Sequence, residues 1–185
     1  LTGCLNRRSV TDAADRLVAE TKQRGEAVAF VMIDLDRFKQ INDSRGHSAG
    51  DRMLIETARR LHASLPGNAL VARVGGDEFA CIVPFDPARP GQIDRLVDGL
   101  ISKISRTVDH DDGELETTIS AGIYRRDPNS EETTQAALHQ ADIAMYHAKE
   151  IEKGISVFNR SMHTRALTLL QIETDLRRAI ERHEL

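Results

Sequence analysis

Apolar runs of strand length alternate along this chain with segments whose apolar residues recur every three or four positions. From Ser9 to Arg24, Val10, Ala13, Ala14, Leu17 and Val18 fall at helical spacing and Gly25 offers a stop, which predicts a first helix. "AVAFVMID", Ala27 to Asp34, is a continuous apolar run ending in acids, as a buried central strand does on reaching the edge of its sheet. Asp34 is therefore expected at a strand exit, as a solvent-facing carboxylate. The next stretch, "DRFKQINDSRGHSAGD", has few apolar positions and reads as a loop. Leu54, Ala58, Leu61 and Leu65 then stripe a second helix from Ala49 to Leu65. "LVARVGGDEFACIV" places Gly75, Gly76, Asp77 and Glu78 between two strand-like runs, a hairpin with acids at its tip.

Ile93, Leu96, Val97, Leu100, Ile101 and Ile104 mark a third helix. "ELETTISAGIY" alternates Leu115, Thr117, Ile119, Ala121 and Ile123 on one face, which predicts a single strand. A fourth helix is expected from about Glu131 to Glu150, with Ala137, Ala141, Ala144, Met145 and Ala148 inward, and "ISVF" reads as a closing strand. "DHDDG", Asp109 to Gly113, reads as an acidic turn. The order from Ala27 is strand, helix, hairpin, helix, strand, helix, strand, whose first six steps are the split βαβ arrangement of an α+β protein with helices packed on an antiparallel sheet. From Arg160 the pattern becomes a charged helix with a narrow stripe of Leu169, Ile172, Leu176 and Ile180, too little apolar surface to stand alone. The expected division is a domain over 1–159 and a connector helix over 160–185.

Composition narrows the function classes. The 185 residues suit one domain, and 40% hydrophobic with 29% charged residues is ordinary for a soluble protein. No apolar run approaches a membrane span, so no membrane contact is expected of this segment. A net charge of −4 with five Phe, two Tyr and no Trp argues against a nucleic-acid surface, so no nucleic-acid partner is expected. Cys4 and Cys81 lie in separate apolar segments without metal-ligand spacing and read as reduced cytoplasmic thiols. The chain begins at Leu1 without an initiator Met, which reads as a piece of a longer protein with room for a membrane anchor elsewhere.

The acids carry the chemistry. If the hairpin pairs beside the Ala27–Asp34 strand, Asp34, Asp77 and Glu78 project from one sheet edge, and three or four converging carboxylates repel unless a cation neutralises them. Oxygen-only donors favour Mg²⁺ or Mn²⁺, and Mg²⁺ is commonly shared with substrate phosphates. Gly75 and Gly76 would let a phosphate or metal approach the turn closely. Asn42 and Asp51 can read a purine's polar edge, the carboxylate accepting from guanine N–H groups.

"LTGCLNRR", "IDLDRFKQINDSRGHSAGD", "RVGGDEF" and "ADIAMYHAK", in this order, resemble the diguanylate cyclase family, named for its GGDEF motif, from Leu1 to about Phe158. The resemblance implies a palm-like α+β fold related to nucleotidyl cyclases and the synthesis of cyclic di-GMP from two GTP by a homodimer. It implies two Mg²⁺ or Mn²⁺ ions per half-site, with Asp34, Asp77, Glu78 and the Leu35 carbonyl as ligands. Asn42 and Asp51 match guanine contacts, His47 falls among the nucleotide-site positions, and Phe38 and Lys39 open the loop against the phosphates. Lys39 would stabilise developing charge, Lys149 would reach the terminal phosphates, and Asp77 would also be the base for the 3′-hydroxyl.

Two departures qualify the resemblance. Where the family has a Gly-Arg-Asn turn, this chain has Glu152, Lys153 and Gly154, and Lys153 cannot supply the forked contact of Arg. The product-inhibition pair of Arg and Asp would fall at Pro66 and Ala69 and is missing. The tail "LLQIETDLRRAIERHEL" resembles the linker into an EAL-type phosphodiesterase domain. The alternative reading is therefore a weakly active or inactive GTP-binding module that regulates such a domain.

Overall fold

A computed structural model describes residues 1–111 and 113–181. Helix α1 (Arg7–Arg24) starts where the Asn6 side chain accepts from the Ser9 N–H and ends at Gly25, which takes a left-handed φ of 69°. Strand β1 (Ala27–Leu35) is buried along its whole length. Helices α2 (Phe38–Arg45) and α3 (His47–Ser64) follow, then the hairpin β2 (Leu70–Arg73) and β3 (Glu78–Phe85). Helix α4 (Gly91–Ile104), the short strands β4 (Val108–His110) and β5 (Gly113–Leu115), β6 (Ile119–Arg126), α5 (Thr134–Glu150), β7 (Ile155–Val157) and α6 (Arg160–Glu181) complete the order.

The main sheet runs β2-β3-β1-β6-β7. Its pairs are antiparallel except the β6–β7 edge, where the expected closing strand "ISVF" joins as a parallel neighbour of β6. The α+β architecture with β1 at the centre is as expected. "ELETTISAGIY" is not one strand: the buried alternation at Leu115, Thr117 and Ile119 persists, but pairing breaks after Leu115, and β5 turns back on β4. Of "DHDDG", Asp109 and His110 lie in β4 and Gly113 opens β5, while Asp112 lies outside the described residues. The polar stretch after Asp34 is also corrected, since Phe38–Arg45 is helical and Phe38 and Ile41 pack against the core.

The alternation of β1 sends its two faces to different layers. Ala27, Ala29, Val31, Ile33 and Leu35 join Leu54, Leu61, Val97 and Leu100 from α3 and α4. Val28, Phe30 and Met32 pack with Val10, Ala14, Ala137, Ala141 and Met145 from α1 and α5. Asp34 follows Met32 on that second face, so the period-2 geometry of a strand directs it under α5.

Helix α5 lies very close to the sheet because of Gly122. Paired with Met32, Gly122 faces the α5 backbone, and a Cβ there would lie 2.0 Å from the Met145 N and 2.1 Å from the Ala141 O. The four residues from Met145 to Lys149 advance about 6 Å along the helix. Two strand residues from Met32 to Asp34 advance about 6.6 Å. Lys149 therefore arrives over Asp34.

In α6, Ile172 and Ile180 are exposed, whereas the side chains of Leu169 and Leu176, expected in the same stripe, lie outside what is described. No helix among the described residues is long and apolar enough to cross a membrane.

Candidate active site

Three strands contribute one row of polar residues at their adjoining ends. Asp34 is in register with Glu78 on β3 and with Ser120 on β6, and the Leu35 N–H donates to the Asp77 carbonyl at 3.3 Å. The expected meeting of the strand exit with the hairpin tip is thus present. Asp34 is not solvent-facing, however: it is 6% exposed, and its Oδ1 lies 2.7 Å from Lys149 Nζ. Burial pushes the Asp34 carboxyl above the usual range; Lys149 opposes this, and the charges of Asp77 and Glu78 add to it.

The expected convergence of carboxylates on one point is not present as a preformed cage. Among the described residues, no three His, Cys, Asp or Glu side chains are grouped to hold a metal. Instead, Lys149 serves Asp34, and Glu78 Oε2 lies 3.9 Å from Arg7 Nη2. The donors still fit a hard cation: they are carboxylate oxygens close enough to raise Asp34's proton affinity, and a divalent charge would relieve that repulsion.

Gly75 serves close packing, and neither hairpin glycine serves a left-handed turn. Neither Gly75 nor Gly76 has a positive φ, so neither is needed for a left-handed turn. A Cβ on Gly75 would meet Glu78 Oε2 at 2.4 Å, which shows that Gly75 makes room for the neighbouring carboxylate. Gly76 is exposed with open space around it, and its carbonyl accepts from Arg73 at 3.0 and 2.6 Å. Val74 N–H closes the turn on the Glu78 carbonyl at 2.9 Å.

Asn42 on α2 is brought against the first turns of α3. A Cβ on Gly50 would lie 2.1 Å from Asn42 Oδ1 and 3.1 Å from Phe38 Cζ, so Gly50 lets the two helices meet beside Asp51. His47 and Asp51 are exposed on α3, and Lys39 is exposed on α2. A cavity of about 560 Å³ beside this face is lined by Ser48, Arg52, Asp109, His110 and Asp111, none of them a predicted site residue.

Several contributors were not identified from sequence. Gly50, Gly122, Arg7 and the group of Asp36, Thr118 and Ser120 act through contacts between segments far apart in the chain. Only the two acids spaced two apart in "IDLD" and the two hydroxyls spaced two apart in "TIS" offered a signal, namely strand periodicity placing each pair on one face.

The turn after α5 bears on the departures noted above. Glu152 has φ 52°, a left-handed conformation, and Gly154 has φ 71°. A non-glycine residue there costs about 1–2 kcal/mol. The double substitution Glu152→Gly, Lys153→Arg is expected to raise thermal stability and to tighten GTP binding, because it removes strain and a negative charge and adds a forked donor. Melting curves and GTP calorimetry at two salt concentrations check this, with the affinity gain shrinking at high salt. Unchanged or weaker binding would mean that this turn does not reach the triphosphate.

Comparison with known proteins adds four findings. Residues 1–154 match the family described as "Diguanylate cyclase, GGDEF domain". The bifunctional diguanylate cyclase/cyclic di-GMP phosphodiesterase MucR of Pseudomonas aeruginosa is 34% identical over 100% of this chain and 27% of its own length. The diguanylate cyclase TpbB of the same species is 37% identical over 83% of this chain and 35% of its own length. The chain thus spans about a quarter to a third of these relatives. A solved structure comprising only the TpbB GGDEF domain superposes with a TM-score of 0.80 at 34% identity, covering 90% of this chain and 96% of that one.

Proposed function

The chain belongs to the GGDEF diguanylate cyclase family, and from that premise we propose that it condenses two GTP into cyclic di-GMP, releasing pyrophosphate from each. The observation that carries this reading is the row at the sheet's edge, in which buried Asp34 is paired in register with Glu78, lies beside Asp77 and is capped by Lys149. Asp34, Asp77, Glu78 and the Leu35 carbonyl would hold two Mg²⁺ or Mn²⁺ ions. Such ions polarise phosphate oxygens and ease ionisation of the attacking hydroxyl.

The side chains supply the rest. Asn42 and Asp51 bind the guanine edge, with His47 nearby. Phe38 and Lys39 present the start of α2 to the phosphates, and Lys39 offsets the charge that develops there. Gly75 and Gly76 keep the hairpin narrow, while Lys149 and Lys153 meet the terminal phosphates. Two domains face each other about a two-fold axis, so that each 3′-hydroxyl attacks the other nucleotide's α-phosphorus. The hydroxyl proton passes to Asp77 as the bond from the α-phosphorus to the bridging oxygen breaks. Residues 1–159 form this catalytic domain, and 160–185 lead toward an EAL-type domain in a cytoplasmic portion of a longer protein.

Incubation of concentrated protein with GTP and Mg²⁺, followed by chromatography for cyclic di-GMP, tests the reaction. Product whose initial rate rises more steeply than linearly with protein concentration supports it. GTP binding without product favours the second reading, a regulatory GTP-binding module, for which the strained Glu152 turn is the specific observation. Absence of GTP binding overturns both. Guanine recognition is tested separately: Asp51→Ala is expected to cost about 1–3 kcal/mol of GTP affinity while barely changing ATP affinity. Equal GTP and ATP affinities in the unaltered protein would contradict the assignment of Asn42 and Asp51.

A further inference from the structure

Asp36 belongs to none of the roles assigned above, yet it is the most thoroughly bonded acid at the site. Its carboxylate accepts from Thr118 Oγ1 at 2.7 Å on Oδ2 and from Ser120 Oγ at 2.9 Å on Oδ1. Its N–H donates to the Thr118 carbonyl at 2.9 Å, and its own carbonyl accepts from Thr117 Oγ1 at 3.0 Å. Four hydrogen bonds therefore tie one residue of the β1 exit to the segment that leads into β6. Ser120 is the residue paired with Asp34, so the bracket is anchored in the same polar row.

Directly after Asp36 the chain makes a left-handed turn at a non-glycine residue. Arg37 is left-handed, at φ 57° and ψ 22°, and has no side-chain cap to offer α2. Such a conformation in a non-glycine residue persists only where its surroundings over-determine it. The Arg37 carbonyl then receives the N–H groups of Gln40 and Ile41 at 2.9 and 3.2 Å, which starts the helix. Phe38 and Lys39, the first residues of α2, carry N–H groups that no carbonyl of that helix serves. The direction of α2 thus depends on a turn that the bracket holds.

We propose that Asp36 is a positioning residue: through Thr117, Thr118 and Ser120 it fixes the β1–α2 turn, and so sets the placement of Phe38, Lys39 and Asn42 relative to Asp34. The inference rests on the proposed GTP site. Asp36 is assigned no contact with nucleotide or reacting atoms and acts through the residues it places. Both of its carboxylate oxygens are occupied by hydroxyl donors, which distinguishes it from Asp34 and Asp77.

The test compares Asp36→Ala, Asp36→Asn and the double variant Thr118→Val, Ser120→Ala in the full chain. Asn preserves the shape, and its amide can donate to the Thr118 hydroxyl while its oxygen accepts from Ser120. Misplacement of a reacting group by about 1 Å costs about 100-fold in rate, so Asp36→Ala and the double variant are each expected to lower kcat by that order, with a smaller rise in KM. Asp36→Asn is expected to return kcat to within about threefold, since position rather than charge is at stake. Hydrogen exchange in the nucleotide-free protein is the independent readout. Amides of residues 40–46 are expected to exchange about tenfold faster in Asp36→Ala and the double variant, with β1 and β6 still protected.

An Asn variant as impaired as the Ala variant would overturn the proposal, because charge would then be the requirement. Unchanged exchange in residues 40–46, or a double variant with normal turnover, would overturn it too. If the unaltered protein makes no product, the cyclase reading fails while the exchange measurement still decides the bracket. If Asp36→Ala does not fold, the Asn and double variants carry the comparison.

Discussion

Asp34→Asn is expected to abolish turnover and, at the same time, to raise the melting temperature of the protein in metal-free buffer. The loss is expected to reach about 10³-fold or more, equivalent to about 4 kcal/mol, because the residue contributes one of the side-chain oxygens through which the proposed divalent ions act. The gain in stability follows from the carboxyl's raised pKa, whose first cause is burial. The folded protein holds this proton to higher pH than the unfolded chain, where an ordinary Asp titrates near ~3.9. As pH rises above that value, the folded state therefore loses stability relative to the unfolded one, and the full penalty persists above the folded pKa. Asparagine removes the penalty and still offers Lys149 an oxygen. The Lys149 side chain is 37% exposed, so its ammonium stays hydrated without a carboxylate partner. The melting-temperature difference is accordingly expected at neutral pH and should vanish below about pH 4. Retained product formation would refute the role in catalysis, and a lower melting temperature at neutral pH would refute the electrostatic account.

Gly122→Ala is expected to be the most destabilising single-methyl addition in the domain. The new Cβ would lie 2.0 Å from one α5 backbone atom and 2.1 Å from another, and neither can yield by rotating a side chain. Helix and sheet must separate, at a cost of about 3 kcal/mol, near the upper end for overpacking. For a chain of this size, that lowers the melting temperature by roughly 6–12 °C. Lifting α5 also carries Lys149 away from Asp34, so nucleotide binding is expected to weaken at temperatures where the variant remains folded. Gly99→Ala provides the contrast. Its added Cβ meets nothing within 4 Å in the middle of α4, so alanine's better helix propensity is expected to stabilise by about 0.5–1 kcal/mol. Equal melting temperatures for the two variants would show that the close approach of α5 is not what sets the packing.

Which residues became strand and helix was largely legible from the one-dimensional pattern. The apolar run at Ala27 fixed β1 as a central strand because only a strand covered on both faces tolerates it. The helical repeats at α1, α3, α4 and α5 were equally plain, and the inward alanines expected of α5 are buried. α2 was missed because a short helix with a mostly polar surface carries little periodic signal. The single strand expected across Glu114–Tyr124 failed because alternating burial continues through a segment that bonds to Asp36 instead of to a neighbouring strand.

For the site, the sequence alone determined the residue types, their order and hence the family, since four ordered motifs carry that information without any fold. Where each group stands was decided by tertiary structure. Nothing local says that Asp34 is buried, because that depends on α5 covering the same face of β1 as Val28, Phe30 and Met32. Nothing local pairs Lys149 with Asp34 across 115 positions, since that contact needs Gly122 to admit the helix backbone and the matched rises of helix and strand to align the two residues. Asp36 remained silent for the same reason. Its partners lie more than 80 positions away, and a carboxylate's function depends on which donors the fold brings to it.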